Sequence, residues 1–232
     1  MTDPTPSNSL FIKALIFDVG DILYDASLWR RWLAVELSQY GQEVTYDRLV
    51  ETWERFLVPV YKAKQDYWEA FEAMLSEFGI DEKDHSTLIA KAKEKGQAVQ
   101  VDRCPMPEVP ETLAALKSAG IKLIALSDNE SGEVGVRKTL NQLGIEKYFD
   151  AVVSSFSIGH VKPEPEAFDY AIEQSGVPKE NCGFVAHDID ELEGAQKHNL
   201  FAIGYNYHPD APADIFIENF GQLIEVAKKP NE

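Results

Sequence analysis

Four places in the sequence put reactive side chains at the ends of short apolar runs. Asp18 closes the run FIKALIF in Asp18-Val19-Gly20-Asp21. A second run, KLIAL at 122–126, ends at Ser127-Asp128-Asn129. Lys162 stands before Pro163 in His160-Val161-Lys162-Pro163. The run GFVA at 183–186 ends at His187-Asp188, with Glu191 close behind. A carboxylate such as Asp18 can attack an electrophile and form a covalent intermediate. Lys162 would then offset the negative charge gathered there, and Ser127 would hold a substrate oxygen. Each residue also has a plainer reading. Asp18 can cap a turn, Ser127 can cap a helix, and Asp188 and Glu191 can be acids of a helix's first turn.

These residues work together only if the chain brings them to one place. The apolar runs at 11–17, 122–126, 151–153, 183–186, 200–205 and 215–217 have the continuous hydrophobicity of strands buried on both faces. Between them lie helical patterns at 110–119, 137–143, 166–175, 191–198 and 222–228, three of them stopped by Gly120, Gly144 and Gly176. Strands alternating with helices predict βαβ units and an α/β, doubly wound parallel sheet. Ligands of such sheets bind beyond the carboxyl ends of the strands, where Asp18, Ser127, Lys162, His187, Asp188 and Glu191 would gather. The stretch 27–100 differs. It reads as amphipathic helices at 28–40, 46–61, 66–78 and 86–95 and holds all four tryptophans, so an all-helical insert is expected between the first two strands.

Composition narrows the possible partners. The 232 residues carry 22 Lys+Arg against 39 Asp+Glu, a net charge of −17. That field repels nucleic-acid backbones and anionic membranes, so neither is expected as a partner. Two distant cysteines, Cys104 and Cys182, predict free thiols. Residues 1–10 lack the basic and apolar regions of a signal peptide and read as a disordered tail, and no run is long enough to span a bilayer. A cytoplasmic protein is expected.

The order and placement of these residues resemble the haloacid dehalogenase (HAD) superfamily of hydrolases over nearly all of the chain after residue 10. The family's first signature, DxDG[TV]L after a hydrophobic strand, is similar to Asp18-Val19-Gly20-Asp21-Ile22-Leu23. Its strand-end Ser or Thr resembles Ser127, its Lys-Pro resembles Lys162-Pro163, and its GDSxxND resembles 186–191, ending at Gly194-Ala195. The resemblance implies a Rossmann-like core over 11–24 and 104–229 and a helical cap over 25–103. It implies catalysis by Asp18, Ser127 and Lys162, and an Mg²⁺ held by Asp18, the Gly20 carbonyl, Asp188 and Glu191. Substrate contacts fall on Ser127, Asp128, Lys162 and, from the cap, Arg30.

The departures from the pattern bear on activity. Gly20 replaces the acid that serves phosphatase members as general acid and base, and Ile22 replaces the family Thr. His187 takes the position of a metal-binding Asp, a poor exchange for an ion that prefers hard oxygen ligands. Asp188 is left to rotate in as the missing carboxylate. His187 is open to three readings: a metal ligand, a replacement acid/base, or a neutral residue filling the space. The leading expectation is a phosphatase for a small phosphorylated, anionic metabolite. A catalytically impaired binding or regulatory protein is the main alternative, and a metal-independent dehalogenase ranks third, because Asp128 would repel a carboxylate substrate. The tryptophans are expected in the cap core rather than around substrate, and His85, His198 and His208 on the surface. The sequence leaves the oligomeric state open.

Overall fold

The computed structural model describes residues 12–41 and 43–228. The tail at 1–10 lies outside the described residues. Six strands form one parallel sheet: β1 (Ala14–Phe17), β2 (Lys122–Ser127), β3 (Ala151–Ser154), β4 (Cys182–Ala186), β5 (Phe201–Tyr205) and β6 (Ile215–Ile217), in the order β3-β2-β1-β4-β5-β6. The order reverses direction at β1, so β1 lies between β2 and β4 with Phe17 level with Ala125 and Val185. Asp18, Ser127 and His187 therefore leave neighbouring strands at the same edge.

Alternation along the strands explains the two-sided burial. Leu15, Phe17, Leu123, Ala125, Val185 and Ile203 share one apolar cluster with Val109, Leu113 and Leu116 of α5 (Val109–Ser118) and Leu223 and Val226 of α10 (Leu223–Lys228). Ala14, Ile16, Ile124, Leu126, Phe184 and Ala202 face the other way, onto Phe168 of α8 (Pro165–Ser175) and Leu192 of α9 (Ile189–Lys197). Two further helices flank β3: α6 (Gly132–Gln142) and the short α7 (Ser155–Ile158). The sequence pattern gave no sign of α7.

The insert is helical throughout, in α1 (Ser27–Ser38), α2 (Tyr46–Tyr61), α3 (Tyr67–Glu77) and α4 (Glu82–Val101). It has a separate apolar core built on Leu33, Leu37, Leu49, Trp53, Phe71 and Met74. Asp66 caps α3 by accepting the backbone N–H groups of Trp68 and Glu69, and Thr45 caps α2 through Arg48. His85 corrects an expectation. It is buried, with Nε2 3.0 Å from the Ile80 carbonyl and Nδ1 3.4 Å from Glu72 Oε1. His198 is also engaged, stacked on Phe168 and 2.7 Å from Asp169. Among the described residues no helix is long and apolar enough to cross a membrane.

Candidate active site

Asp18 is fixed from behind by the sheet: its N–H donates to the Val185 carbonyl at 3.0 Å. Its side chain is buried at the base of a cavity of about 830 Å³ between sheet edge and insert. Lys162 Nζ donates to Asp18 Oδ1 at 2.5 Å and lies 2.9 Å from Glu191 Oε1 and 4.0 Å from Asp128 Oδ2. Ser127, buried at the end of β2, lines the same cavity. Asp18, Ser127, Asp128, Lys162 and Glu191 thus share one floor although they come from four separate segments.

The Lys162 loop is held on both sides. Asp128 accepts the Lys162 backbone N–H at 3.1 Å, which makes it a brace for the loop rather than a free group awaiting substrate. On the other side Gly194 lets α9 close against Pro163, since a Cβ there would come within 2.4 Å of the Pro163 Cβ. That contact holds Glu191, one turn earlier, at Lys162. Asn129 completes the frame by donating to the Ser127 carbonyl and the Ser154 hydroxyl at 3.0 and 2.9 Å. Asn129 and Ser154 carried no role in the sequence reading, because their partners are distant in the chain.

One ammonium faces three carboxylates on this floor. Burial opposes the charge of Lys162, but Asp18, Glu191 and Asp128 outweigh it and hold the ammonium well above its ordinary range. For Glu191 burial comes first, and with Asp18 and Asp128 nearby it pushes the carboxyl well up against the pull of Lys162. Burial likewise raises Asp128 to about 6, with Lys162 opposing and Asp18 assisting. Both shifts run in the direction that lessens the excess of negative charge.

Asp18, Gly20, Asp188 and Glu191 line one cavity, but among the described residues the Asp18, Asp188 and Glu191 carboxylates do not bring an oxygen each within 4.8 Å of one another. Asp188 is exposed where α9 begins, and Glu191 Oε1 is taken by Lys162 while its Oε2 is buried without a partner. His187, not a carboxylate, stands beside the nucleophile position, with Nε2 3.9 Å from Asp18 Oδ2. Among the described residues the three side chains whose ligand atoms gather within 4.8 Å are His160, Glu164 and Glu166, and Glu164 already pairs with Lys62 of the insert. Donors arranged in this way do not fit the hard-oxygen octahedron of Mg²⁺.

Two further expectations are modified by the geometry. Arg30 reaches the cavity wall, but its guanidinium is 2.7 Å from Asp21 Oδ2. Asp21 has a left-handed backbone, φ 55°, and its Oδ1 accepts the Ala26 N–H at 2.8 Å. Both side chains thus tie the start of the insert to β1, and Asp21 does not replace the acid missing at Gly20. The tryptophans divide their roles: Trp53 is buried in the insert's core, yet Trp29, Trp53 and Trp68 also line the cavity.

A strand-end aspartate on a buried lysine, below a helical insert, defines a class of hydrolases. The haloacid dehalogenase-like hydrolase family model matches residues 12–199, and the chain belongs to that family. It is 24% identical over 230 residues to a glyceraldehyde 3-phosphate phosphatase of Methanocaldococcus jannaschii, covering 94% of this chain and 97% of that one. It is 29% identical over 208 residues to the protein of the same name from Methanopyrus kandleri, covering 83% of each. A solved dehalogenase structure superposes with a TM-score of 0.69 at 19% identity, covering 95% of this chain and 98% of that one.

Proposed function

We propose that this hydrolase cleaves small phosphomonoesters through an aspartyl-phosphate intermediate. The observation that carries the reading is the pairing of Asp18 with Lys162 beside Ser127, under a cavity of about 830 Å³. Lys162 occupies Asp18 Oδ1, which leaves Oδ2 as the attacking atom. Oδ2 forms a bond to phosphorus as the ester P–O bond breaks, and the departing alkoxide takes a proton from solvent water. Lys162 and the Ser127 hydroxyl hold phosphoryl oxygens, and water then cleaves the acyl phosphate and regenerates Asp18. Position 20 supplies no acid, so turnover is expected to be slow by about 10²–10⁴-fold relative to a site with a placed acid. The names of the near-full-length relatives support the same chemistry.

The test is hydrolysis of p-nitrophenyl phosphate by the wild type and Asp18→Asn. Turnover above the Asp18→Asn background supports the proposal; equal rates overturn it. The poor fit to a metal favours a second reading, metal-free displacement of halide from a short 2-haloacid. Against it, a haloacid fills little of this cavity and would place its carboxylate among carboxylates. Chloride release from 2-chloropropionate, with no phosphate release from aryl phosphate, would select that reading.

A further inference from the structure

We infer that the insert side of the cavity selects a phosphomonoester whose leaving group carries an ammonium or quaternary ammonium cation. The inference rests on the phosphatase reading and adds a substrate class to it. Nine residues lining the cavity are carboxylates and four are Lys or Arg. Each of the four cations is engaged. Lys162 serves Asp18 and Glu191, and Arg30 serves Asp21. Lys93 Nζ lies 4.6 Å above the Trp68 ring. Arg103 lies 4.4 Å above the Tyr24 ring and donates to the Thr139 hydroxyl at 3.0 Å.

Several carboxylates of the wall, in contrast, make no ion pair. The side chains of Glu54, Glu130 and Asp188 make no hydrogen bond or ion pair among the described residues. Solvated acids on an open surface would mean little. Glu54 and Asp188, however, reach one cavity from different bodies, Glu54 on α2 and Asp188 at the start of α9. Burial, then the charge of Asp188, hold the Glu54 carboxyl above its ordinary range. Arg30 offsets this only in part and is itself paired with Asp21, and two like charges brought near each other across a cleft are complementary to a cation that enters with the ligand.

The aromatic lining is an independent observation. Trp29, Trp53, Tyr61, Tyr67 and Trp68 line the insert side. The faces of Trp68 and Tyr24 already carry the protein's own cations, so rings of this cavity are cation acceptors in place. Tyr61 and Tyr67 are half-buried, and their hydroxyls have no hydrogen-bond partner among the described residues. Burial, followed by the negative charge of Glu130, pushes both well up, so they stay neutral. Ring faces, neutral hydroxyls and unpaired carboxylates complement an organic cation. They are the wrong lining for a leaving group with a carboxylate or a second phosphate.

The experiment compares phosphocholine, phosphoethanolamine, ethyl phosphate and phosphoglycolate. Calorimetric binding to Asp18→Asn is measured first, and competition by free choline against wild-type tryptophan fluorescence serves as a second readout in the intact site. The two cationic esters are expected to bind at least 10-fold tighter than ethyl phosphate, and phosphoglycolate more weakly than ethyl phosphate. In Glu54→Gln/Glu130→Gln the ratio of cationic to neutral ester affinity is expected to fall at least fivefold. Affinities within threefold across the four esters, or a ratio unmoved by the double substitution, overturn the inference. So does Mg²⁺ tightening all four equally, which would assign the acidic wall to a metal-phosphate complex. Wild-type hydrolysis of p-nitrophenyl phosphate is measured in parallel. Its absence, with the binding order kept, rejects the phosphatase reading and leaves a cation-selective binding site.

Discussion

The floor and the insert-side wall of the cavity are both acidic, yet they handle charge in opposite ways. On the floor, Asp18, Asp128 and Glu191 surround Lys162 within 4.0 Å, and burial raises the Asp128 and Glu191 carboxyls. On the wall, Glu54 of α2, and Glu130 of the loop after β2 that meets it, carry their charge without an ion pair, and burial raises the Glu54 carboxyl. The floor is fixed by polar contacts whose geometry is specific, and the wall by apolar packing behind it, in which Phe71 touches Trp29, Trp53 and Trp68 edge-on or tilted. A site that must place an attacking oxygen needs the first kind of construction. A surface that must suit a leaving group can use the second.

Lys162→Met gives the largest break in this comparison. Removing the cation strands three buried carboxylates, a loss of about 3–5 kcal/mol. Aryl phosphate turnover should fall by about 10²–10³-fold, as expected when a transition-state charge partner is lost. The destabilisation should be larger at pH 8 than at pH 5, because protons take over part of the lysine's role when the carboxylates are neutral. Thermal melts at the two pH values check this, and equal losses would show that the lysine acts by packing alone.

Phe71→Ala strikes the wall's support instead. It should cost about 3–5 kcal/mol in urea unfolding through cavity formation, with little dependence on pH. A strong pH dependence would erase the contrast between an electrostatic floor and an apolar wall.

Asp128 sets a smaller effect on pH. With its carboxyl raised to about 6, it is neutral below that value and ionised above it. Ionisation adds negative charge beside Asp18, so kcat/KM for a phosphomonoester should fall several-fold as pH rises through 6, and Asp128→Asn should remove that limb. The sign for stability follows from the same shift. The folded protein holds this proton more tightly than the unfolded chain, so stability from this group falls between about pH 4 and pH 6 and is level above. The smallest effect is expected from chelation: with no converged set of metal donors, EDTA should change turnover by less than about twofold. A loss of tenfold or more, restored by Mg²⁺, would show that Asp188 and Glu191 rearrange around the ion.

Much of the architecture was legible because its determinants are local. Continuous apolar runs marked the strands to within a few residues, and α2 spans the predicted 46–61. The helix predicted at 86–95 extends over Glu82–Val101, since its polar surface carries little periodic signal. At the site, strand ends announced Asp18, Ser127 and His187. The brace from Asp128 and the frame of Asn129 and Ser154 were not visible, because hydrogen bonds between segments leave no periodicity. The burial of His85 was hidden for the same reason.

The sequence by itself determined the parallel sheet, the helical insert and the edge at which polar residues collect, because alternation, apolar runs and helix stops act over neighbouring residues. Only the tertiary structure decided how charge is shared. It set Lys162 between Asp18 and Glu191, spent Arg30 on Asp21, left Asp188 exposed, and put Glu54 and Glu130 on the cavity wall without partners. Pairing and burial depend on distances between segments far apart in the chain, and electrostatic energies at those distances change steeply with a few ångströms and with loss of water.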